Sequence, residues 1–102
     1  MQIKPGSRWR SAVCTTEVIV VRPPSRPISL ACGGHPMVPV GEDGPSGLPP
    51  SADLSGTTQI GKRYQDAASG LEALATKGGM GTLSVDGRPL EIKATKSLPA
   101  SD

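Results

Sequence analysis

The chain has 102 residues, a formal net charge of +2, 13 glycines, 11 prolines, one Trp, one Tyr and no Phe. So small a charge with so few aromatic rings argues against nucleic-acid binding. The absence of a membrane-length apolar run or an apolar signal segment argues against a membrane or secreted protein. We therefore expect a soluble cytoplasmic protein with a thin aliphatic core and many turns.

The first half of the chain contains the clearest strand signals. Residues 17–22 (EVIVVR) include four consecutive apolar residues, three of them Val, and predict a strand. Residues 28–32 alternate apolar and small side chains, which is typical of a half-buried strand. Gly33 and Gly34 then predict a tight turn. Residues 35–40 contain two prolines and can pair only as an edge strand.

The second half of the chain follows a segment without periodicity. Residues 41–58 are rich in Gly, Pro and Ser and predict a flexible linker. The glycine-rich residues 78–81 are interpreted as a hairpin turn, because they lack the Lys and the helix of a phosphate-binding loop. Asp86 and Gly87 predict a two-residue hairpin turn. Residues 95–102 are interpreted as a tail.

A set of residues recurs in the same order in both halves. Gly6, Arg8, Trp9 and Glu17 recur as Gly61, Arg63, Tyr64 and Glu72, 55 positions later, and Leu30, Gly34, Pro36 and Met37 recur as Leu83, Gly87, Pro89 and Leu90, 53 positions later. This recurrence predicts an internal duplication. Residues 71–77 resemble a short capped helix locally, but they correspond to the Val-rich segment, so we predict a strand there.

These signals together predict an all-β fold built from two small repeats. The first repeat spans residues 1–40 and the second spans residues 59–94. We expect the two to pack as a pseudo-dimer around a small core. The predicted core residues are Val18, Val20, Leu30, Leu74 and Leu83, with Trp9 and Tyr64 as the aromatic anchors of the two lobes.

The first repeat carries a family pattern in residues 9–21 (WRSAVCTTEVIVV) and 30–37 (LACGGHPM). It resembles the desulforedoxin module, a rubredoxin-like unit that also forms the N-terminal domain of desulfoferrodoxins. The resemblance implies one iron held by four thiolates and a role in electron transfer. Cys14 and Cys32 fall on the second and third ligand positions, whereas Ser11 and Gly33 occupy the first and fourth. In the second repeat, which is degenerate, the four positions are Asp66, Ser69, Val85 and Asp86.

The candidate site therefore consists of Cys14, Cys32 and His35. In such a module the two thiols would lie side by side, and His35 could approach them because flexible glycines precede it. Three interpretations stay open: a single Zn or Fe ion, a disulfide or redox pair, and two buried thiols that act as small apolar residues.

Two main function hypotheses follow. The first is a non-catalytic accessory or interaction protein without a cofactor, which binds a protein partner or forms a homo-oligomer. The second is a mononuclear Zn or Fe protein that uses Cys14 and Cys32, with a possible electron-transfer role. A thiol enzyme is a third hypothesis, although no nucleophile motif surrounds the cysteines.

Overall fold

A computed structural model describes residues 3–93, which form twelve short strands and one turn of 3-10 helix at Ala52–Leu54. The strands are β1 (Arg8–Arg10), β2 (Glu17–Arg22), β3 (Leu30–Cys32), β4 (His35–Pro36), β5 (Val38–Pro39), β6 (Thr57–Thr58), β7 (Arg63–Asp66), β8 (Leu71–Lys77), β9 (Gly79–Met80), β10 (Leu83–Val85), β11 (Arg88–Pro89) and β12 (Glu91–Ile92). The predicted all-β class is confirmed. The predicted tail, residues 95–102, lies outside the described residues.

The largest sheet is antiparallel and has the strand order β12-β7-β8-β2-β1-β5. Its centre is the pair of β2 and β8, the two longest strands. The segment 71–77 is a strand, as predicted, because β8 has β7 on one side and β2 on the other. These two ladders of backbone hydrogen bonds outweigh the local preference for a marginal short helix.

The second sheet has the order β11-β10-β3-β4 and contains both predicted tight turns. One turn is Gly33–Gly34, with φ of 65° and 87°, and the other is Asp86–Gly87, with φ of 50° and 84°. Two consecutive residues with positive φ are the geometry of a type I′ hairpin turn, which glycine, Asn and Asp favour. Both turn predictions are confirmed.

A single buried cluster contains apolar residues from both sheets. Four of the five predicted core residues are buried, namely Val18, Val20, Leu30 and Leu83, and the anchors Trp9 and Tyr64 are buried too. The prediction for Leu74 is wrong, because this side chain is only half-buried. Its neighbours Ala73 and Ala75 are buried instead, and Leu74 stands opposite Ile19, which is also half-buried.

Proline lies in three of the four edge strands of the two larger sheets. The predicted proline-interrupted segment 35–40 forms two edge strands, β4 in the smaller sheet and β5 in the larger one. The opposite edge of the smaller sheet, β11, contains Pro89. Because proline has no N–H to donate, these edges are poor templates for pairing with another chain.

The segment predicted as a linker, residues 41–58, makes specific hydrogen bonds to the rest of the fold. The guanidinium of Arg10 donates to the carbonyl oxygens of Gly44 and Pro45, at 3.2 and 3.0 Å. The segment ends in β6, which pairs with β9. The interpretation of residues 78–81 as a hairpin turn is therefore wrong, because Gly79 and Met80 form a strand.

Candidate functional site

The two cysteines lie side by side. Cys14 belongs to the turn between β1 and β2, and Cys32 is the last residue of β3. Their sulfurs are 3.9 Å apart. Cys32 is fully buried and Cys14 is half-buried. The predicted juxtaposition of the two thiols is confirmed, and the more accessible of them is Cys14.

Backbone hydrogen bonds to a serine shape the turn that carries Cys14. The hydroxyl of Ser11 accepts from the N–H groups of Val13 and Cys14, at 2.9 and 3.1 Å. The N–H of Ser11 donates to the carbonyl of Thr16 and closes the turn. Ser11 Oγ and Thr16 Oγ1 lie 3.5 and 3.1 Å from the sulfur of Cys14. Two hydroxyl groups therefore surround the half-buried thiol.

A glycine-rich segment from the second half of the chain, residues 78–81, covers the thiols. A Cβ at Gly79 would stand 2.8 Å from the sulfur of Cys14, and a Cβ at Gly81 would stand 3.0 Å from the sulfur of Cys32. Protein Cβ atoms essentially never approach other heavy atoms at the shorter of these distances. The backbone can pass this close to the thiols only because both residues are glycine.

Hydrogen bonds from both halves hold this covering segment in place. Thr58 Oγ1 donates to the carbonyl of Gly81 at 2.7 Å, and Thr15 Oγ1 donates to the carbonyl of Gly78 at 2.6 Å. Sequence reasoning missed the segment, although the spacing of Gly79 and Gly81 carries a signal. Residues two apart share one face of a strand, so two such glycines indicate a face against which another group packs closely.

The surroundings of the two thiols shift their pKa values in opposite directions. Burial tends to raise the pKa of Cys14, but its hydrogen bonds with Ser11, Thr16 and Cys32 outweigh this effect and lower the pKa below its ordinary value. Burial raises the pKa of Cys32 to about 11, against the effect of its hydrogen bond with Ser11, and the neighbouring charge of Cys14 adds to the increase. The first thiol to ionise in the folded protein is therefore Cys14.

The third predicted site residue, His35, stands opposite Cys32 across the β3–β4 pair. Its ring Nε2 lies 3.0 Å from the carbonyl oxygen of Pro49, within hydrogen-bond distance. Within residues 3–93, no group of three or more His, Cys, Asp or Glu side chains is placed to hold a metal ion. The use of Cys14, Cys32 and His35 as metal ligands stays a prediction.

The positions of the second half that the predicted repeat aligns with the site include Asp66, one partner of an ion pair, and no thiol. Asp66 Oδ2 accepts from the hydroxyl and the N–H of Ser69, at 2.6 and 3.2 Å, and from Arg88 at 3.1 Å. Burial opposes ionisation of Asp66, but the hydrogen bonds from Ser69 and Arg88, together with the charge of Arg88, lower its pKa. Val85 is fully buried, and Asp86 Oδ1 accepts from the N–H of Ser29.

Comparisons with known proteins do not identify this site. No protein-family model, curated protein or solved structure matches the chain. In the described part of the chain, no helix has the length and apolar character needed to cross a membrane.

Proposed function

We propose that the chain is a non-catalytic accessory or interaction protein on a degenerate, duplicated desulforedoxin-like scaffold. The duplication is supported by hydrogen bonds that recur at the spacing of the sequence repeat. These pairs are Gly6 N–Val20 O with Gly61 N–Ala75 O, Val20 N–Ser7 O with Ala75 N–Lys62 O, Met37 N–Leu30 O with Leu90 N–Leu83 O, and Val40 N–Arg8 O with Lys93 N–Arg63 O.

The packing of the two halves as a pseudo-dimer is supported by the register of the strands between them. In the larger sheet Ile19 stands opposite Leu74, which is 55 positions later. In the smaller sheet Ala31 stands opposite Ser84, which is 53 positions later. A two-fold axis brings a residue against its own counterpart in this way.

The observation that carries the interaction role is the exposure of two large apolar side chains, one of them in the strand β9 that covers the thiols. Met80, in the covering strand β9, is 71% exposed, and Ile60, two residues after β6, is 67% exposed. A small protein needs most of its large apolar side chains for its core. Large apolar side chains that stay exposed are typical centres of protein contacts. Prolines in β4, β5 and β11 oppose self-association by pairing at those edges, and we propose a partner protein as the occupant of the surface around Met80 and Ile60.

Tagged full-length chain, purified from its native cells, tests this proposal. A partner that copurifies should be identified, produced separately and titrated against the pure chain. We expect Met80→Glu and Ile60→Glu to weaken its binding at least tenfold, whereas Val40→Glu, on β5's side of the molecule, leaves binding unchanged. Equal binding by all three variants, or binding by none of the copurifying proteins, would contradict the proposal.

The separation of the sulfurs favours a second candidate, a mononuclear Zn or Fe protein. Two sulfurs at about 2.3 Å from one tetrahedral ion lie about 3.8 Å apart, close to the spacing of Cys14 and Cys32. Their measured separation is 3.9 Å. The thiols therefore fit two corners of such a site, and Ser11 Oγ provides a nearby oxygen. A bound ion would supply redox chemistry if it were iron, or rigidity if it were zinc.

Elemental analysis of the purified chain tests the second candidate. If the chain is a mononuclear metal protein, we expect close to one zinc or iron per chain. The metal should be lost in Cys14→Ser and retained in the control Ser46→Ala. Because Ser11 and Gly33 replace two thiolates, we expect no ferric–thiolate bands in the visible spectrum. A metal-free chain that takes up neither ion under reducing conditions would eliminate this candidate.

A further inference from the structure

We propose that Cys14 and Cys32 are a reversible dithiol–disulfide pair in which Cys14 reacts first with the oxidant. This inference does not rest on the partner-binding role proposed above, and it is an alternative to the metal-binding role, which uses the same two thiols. It begins from the 3.9 Å separation of the sulfurs. A disulfide bond is about 2.05 Å long, so the sulfurs must approach by roughly 2 Å, a distance that side-chain rotation in a turn can supply.

The surroundings of the pair favour an internal disulfide over a bond to another chain. Cys32 has no exposed surface, so another protein cannot reach its sulfur. The backbone of Gly79 and Gly81 covers the thiols without placing a side chain against them. After Cys14 has been oxidised, the nearest sulfur is that of Cys32 within the same chain.

Exposure and local contacts determine the order of reaction. Cys14 is half-buried and can meet a small oxidant, whereas Cys32 is completely enclosed. The hydroxyls of Ser11 and Thr16 lie 3.5 and 3.1 Å from the sulfur of Cys14 and can hydrogen-bond to a thiolate there. Cys14 is therefore the attacking sulfur and Cys32 the resolving one.

With hydrogen peroxide as the oxidant, the chemistry takes two steps. The Cys14 thiolate attacks one peroxide oxygen, the O–O bond breaks, and the departing hydroxide takes a proton to become water, which leaves a sulfenic acid on Cys14. The Cys32 thiol then loses its proton and attacks the Cys14 sulfur. The S–S bond forms, the S–O bond breaks, and the leaving hydroxide takes up that proton as a second water. The two thiols lose two electrons in total and one peroxide is reduced to two waters.

The test uses the full chain, reduced and freed of metal with a chelator, and one equivalent of hydrogen peroxide. We expect both free thiols to disappear, the intact mass to fall by about 2 Da, and peptide mapping to link Cys14 to Cys32 in a monomer. A dithiol reductant should restore both thiols. Disulfide-linked dimers, sulfinic acid as the main product, or thiols that survive the treatment would each overturn the proposal.

Two single variants test the order of reaction. In Cys32→Ser, we expect Cys14 to stop at a sulfenic acid that dimedone traps. In Cys14→Ser, we expect Cys32 to react with peroxide at least tenfold more slowly than Cys14 does. Equal rates for the two variants would contradict Cys14 as the attacking sulfur. If zinc binds stoichiometrically to a chain that peroxide does not convert to the disulfide, the metal candidate stands and this inference fails.

Discussion

Gly81 packs directly against Cys32, because a methyl group on Gly81 would stand 3.0 Å from the buried sulfur. We expect Gly81→Ala to lower the free energy of unfolding by about 1–3 kcal/mol, the usual cost of forcing an extra methyl group into a packed site. Most of this cost should disappear when Cys32→Ala removes the sulfur. Urea unfolding of the two single variants and the double variant measures this coupling.

Gly79→Ala provides the matched comparison for that experiment. Its new methyl group would meet the backbone nitrogen of Thr16 at 2.9 Å as well as the sulfur of Cys14. Removal of the sulfur should therefore rescue Gly79→Ala less completely than it rescues Gly81→Ala. If Gly81→Ala lowers the free energy of unfolding equally with and without the Cys32 sulfur, Gly81 does not pack against that sulfur as described.

The raised pKa of Cys32 makes stability depend on alkaline pH. The folded protein holds the thiol proton up to about pH 11, whereas the unfolded chain releases it near the ordinary value of 9.0. The contribution of this thiol to stability is therefore complete below pH 9 and is lost as the pH rises to about 11. The loss corresponds to about 3 kcal/mol. Denaturant titrations from pH 8 to 11 should show this loss of stability in the native sequence and not in Cys32→Ala.

The ion pair of the second half makes stability depend on acid pH. The lowered pKa of Asp66 means that its contribution is present above its ordinary value of 3.8 and is lost as the pH falls through the lower folded value. We expect Arg88→Met to reduce stability at neutral pH by about 1–3 kcal/mol, because it leaves a buried carboxylate with fewer partners. It should also move the acid-unfolding midpoint to higher pH.

Lys77→Met is the control for Arg88→Met. Lys77 pairs with Glu17 at 3.2 Å, but its side chain is 63% exposed and solvent screens the pair. Such pairs contribute about 0–1 kcal/mol, so this variant should unfold close to the native midpoint. Equal losses from both variants would show that the Asp66–Arg88 pair has no special structural role.

Two leucines that differ in burial should differ in how much their truncation destabilises the fold. Leu30 is fully buried, and Leu30→Ala should cost about 2–5 kcal/mol, enough to unfold much of so thin-cored a protein. Leu74 is only half-buried, so Leu74→Ala should cost clearly less. Thermal unfolding followed by circular dichroism measures the loss of stability in both variants. Comparable losses would contradict the conclusion that Leu74 lies on the less buried face of β8.

The same contrast shows which features the sequence could predict. The Val-rich strand and the Gly33–Gly34 and Asp86–Gly87 turns were predictable because their signals lie within a few neighbouring residues. The buried face of β8 was not predictable, since a run containing Leu71, Ala73 and Leu74 has apolar residues on both faces. Pairing with β2 and β7 selects the face that is buried, and this pairing is not local.

The covering strand was less predictable still. A two-residue strand has no period of its own, and its partner β6 lies in the segment that the sequence marks as a linker. The adjacency of Cys14 and Cys32 was predicted through the family resemblance. The position of the Thr16 hydroxyl beside Cys14 was not predictable, because the sequence alone does not show which of two adjacent threonines in a turn points towards the thiol.

Thr15 and Thr16 provide a matched pair for testing the reactivity of Cys14. Thr16 Oγ1 lies 3.1 Å from the Cys14 sulfur, whereas Thr15 Oγ1 donates to the carbonyl of Gly78. Hydrogen bonding is what holds the pKa of Cys14 below its ordinary value against the effect of burial. Thr16→Val keeps the side-chain shape and removes one of those hydrogen bonds, so the pKa should rise and alkylation by iodoacetamide at pH 7 should slow severalfold. Thr15→Val removes a hydrogen bond to the covering segment and none to the sulfur, so it should leave the pKa of Cys14 unchanged. A pH–rate profile in Cys32→Ser separates a changed pKa from a changed access to the thiol. A Thr16→Val rate equal to that of the native sequence would mean that the Thr16 hydroxyl does not support the thiolate.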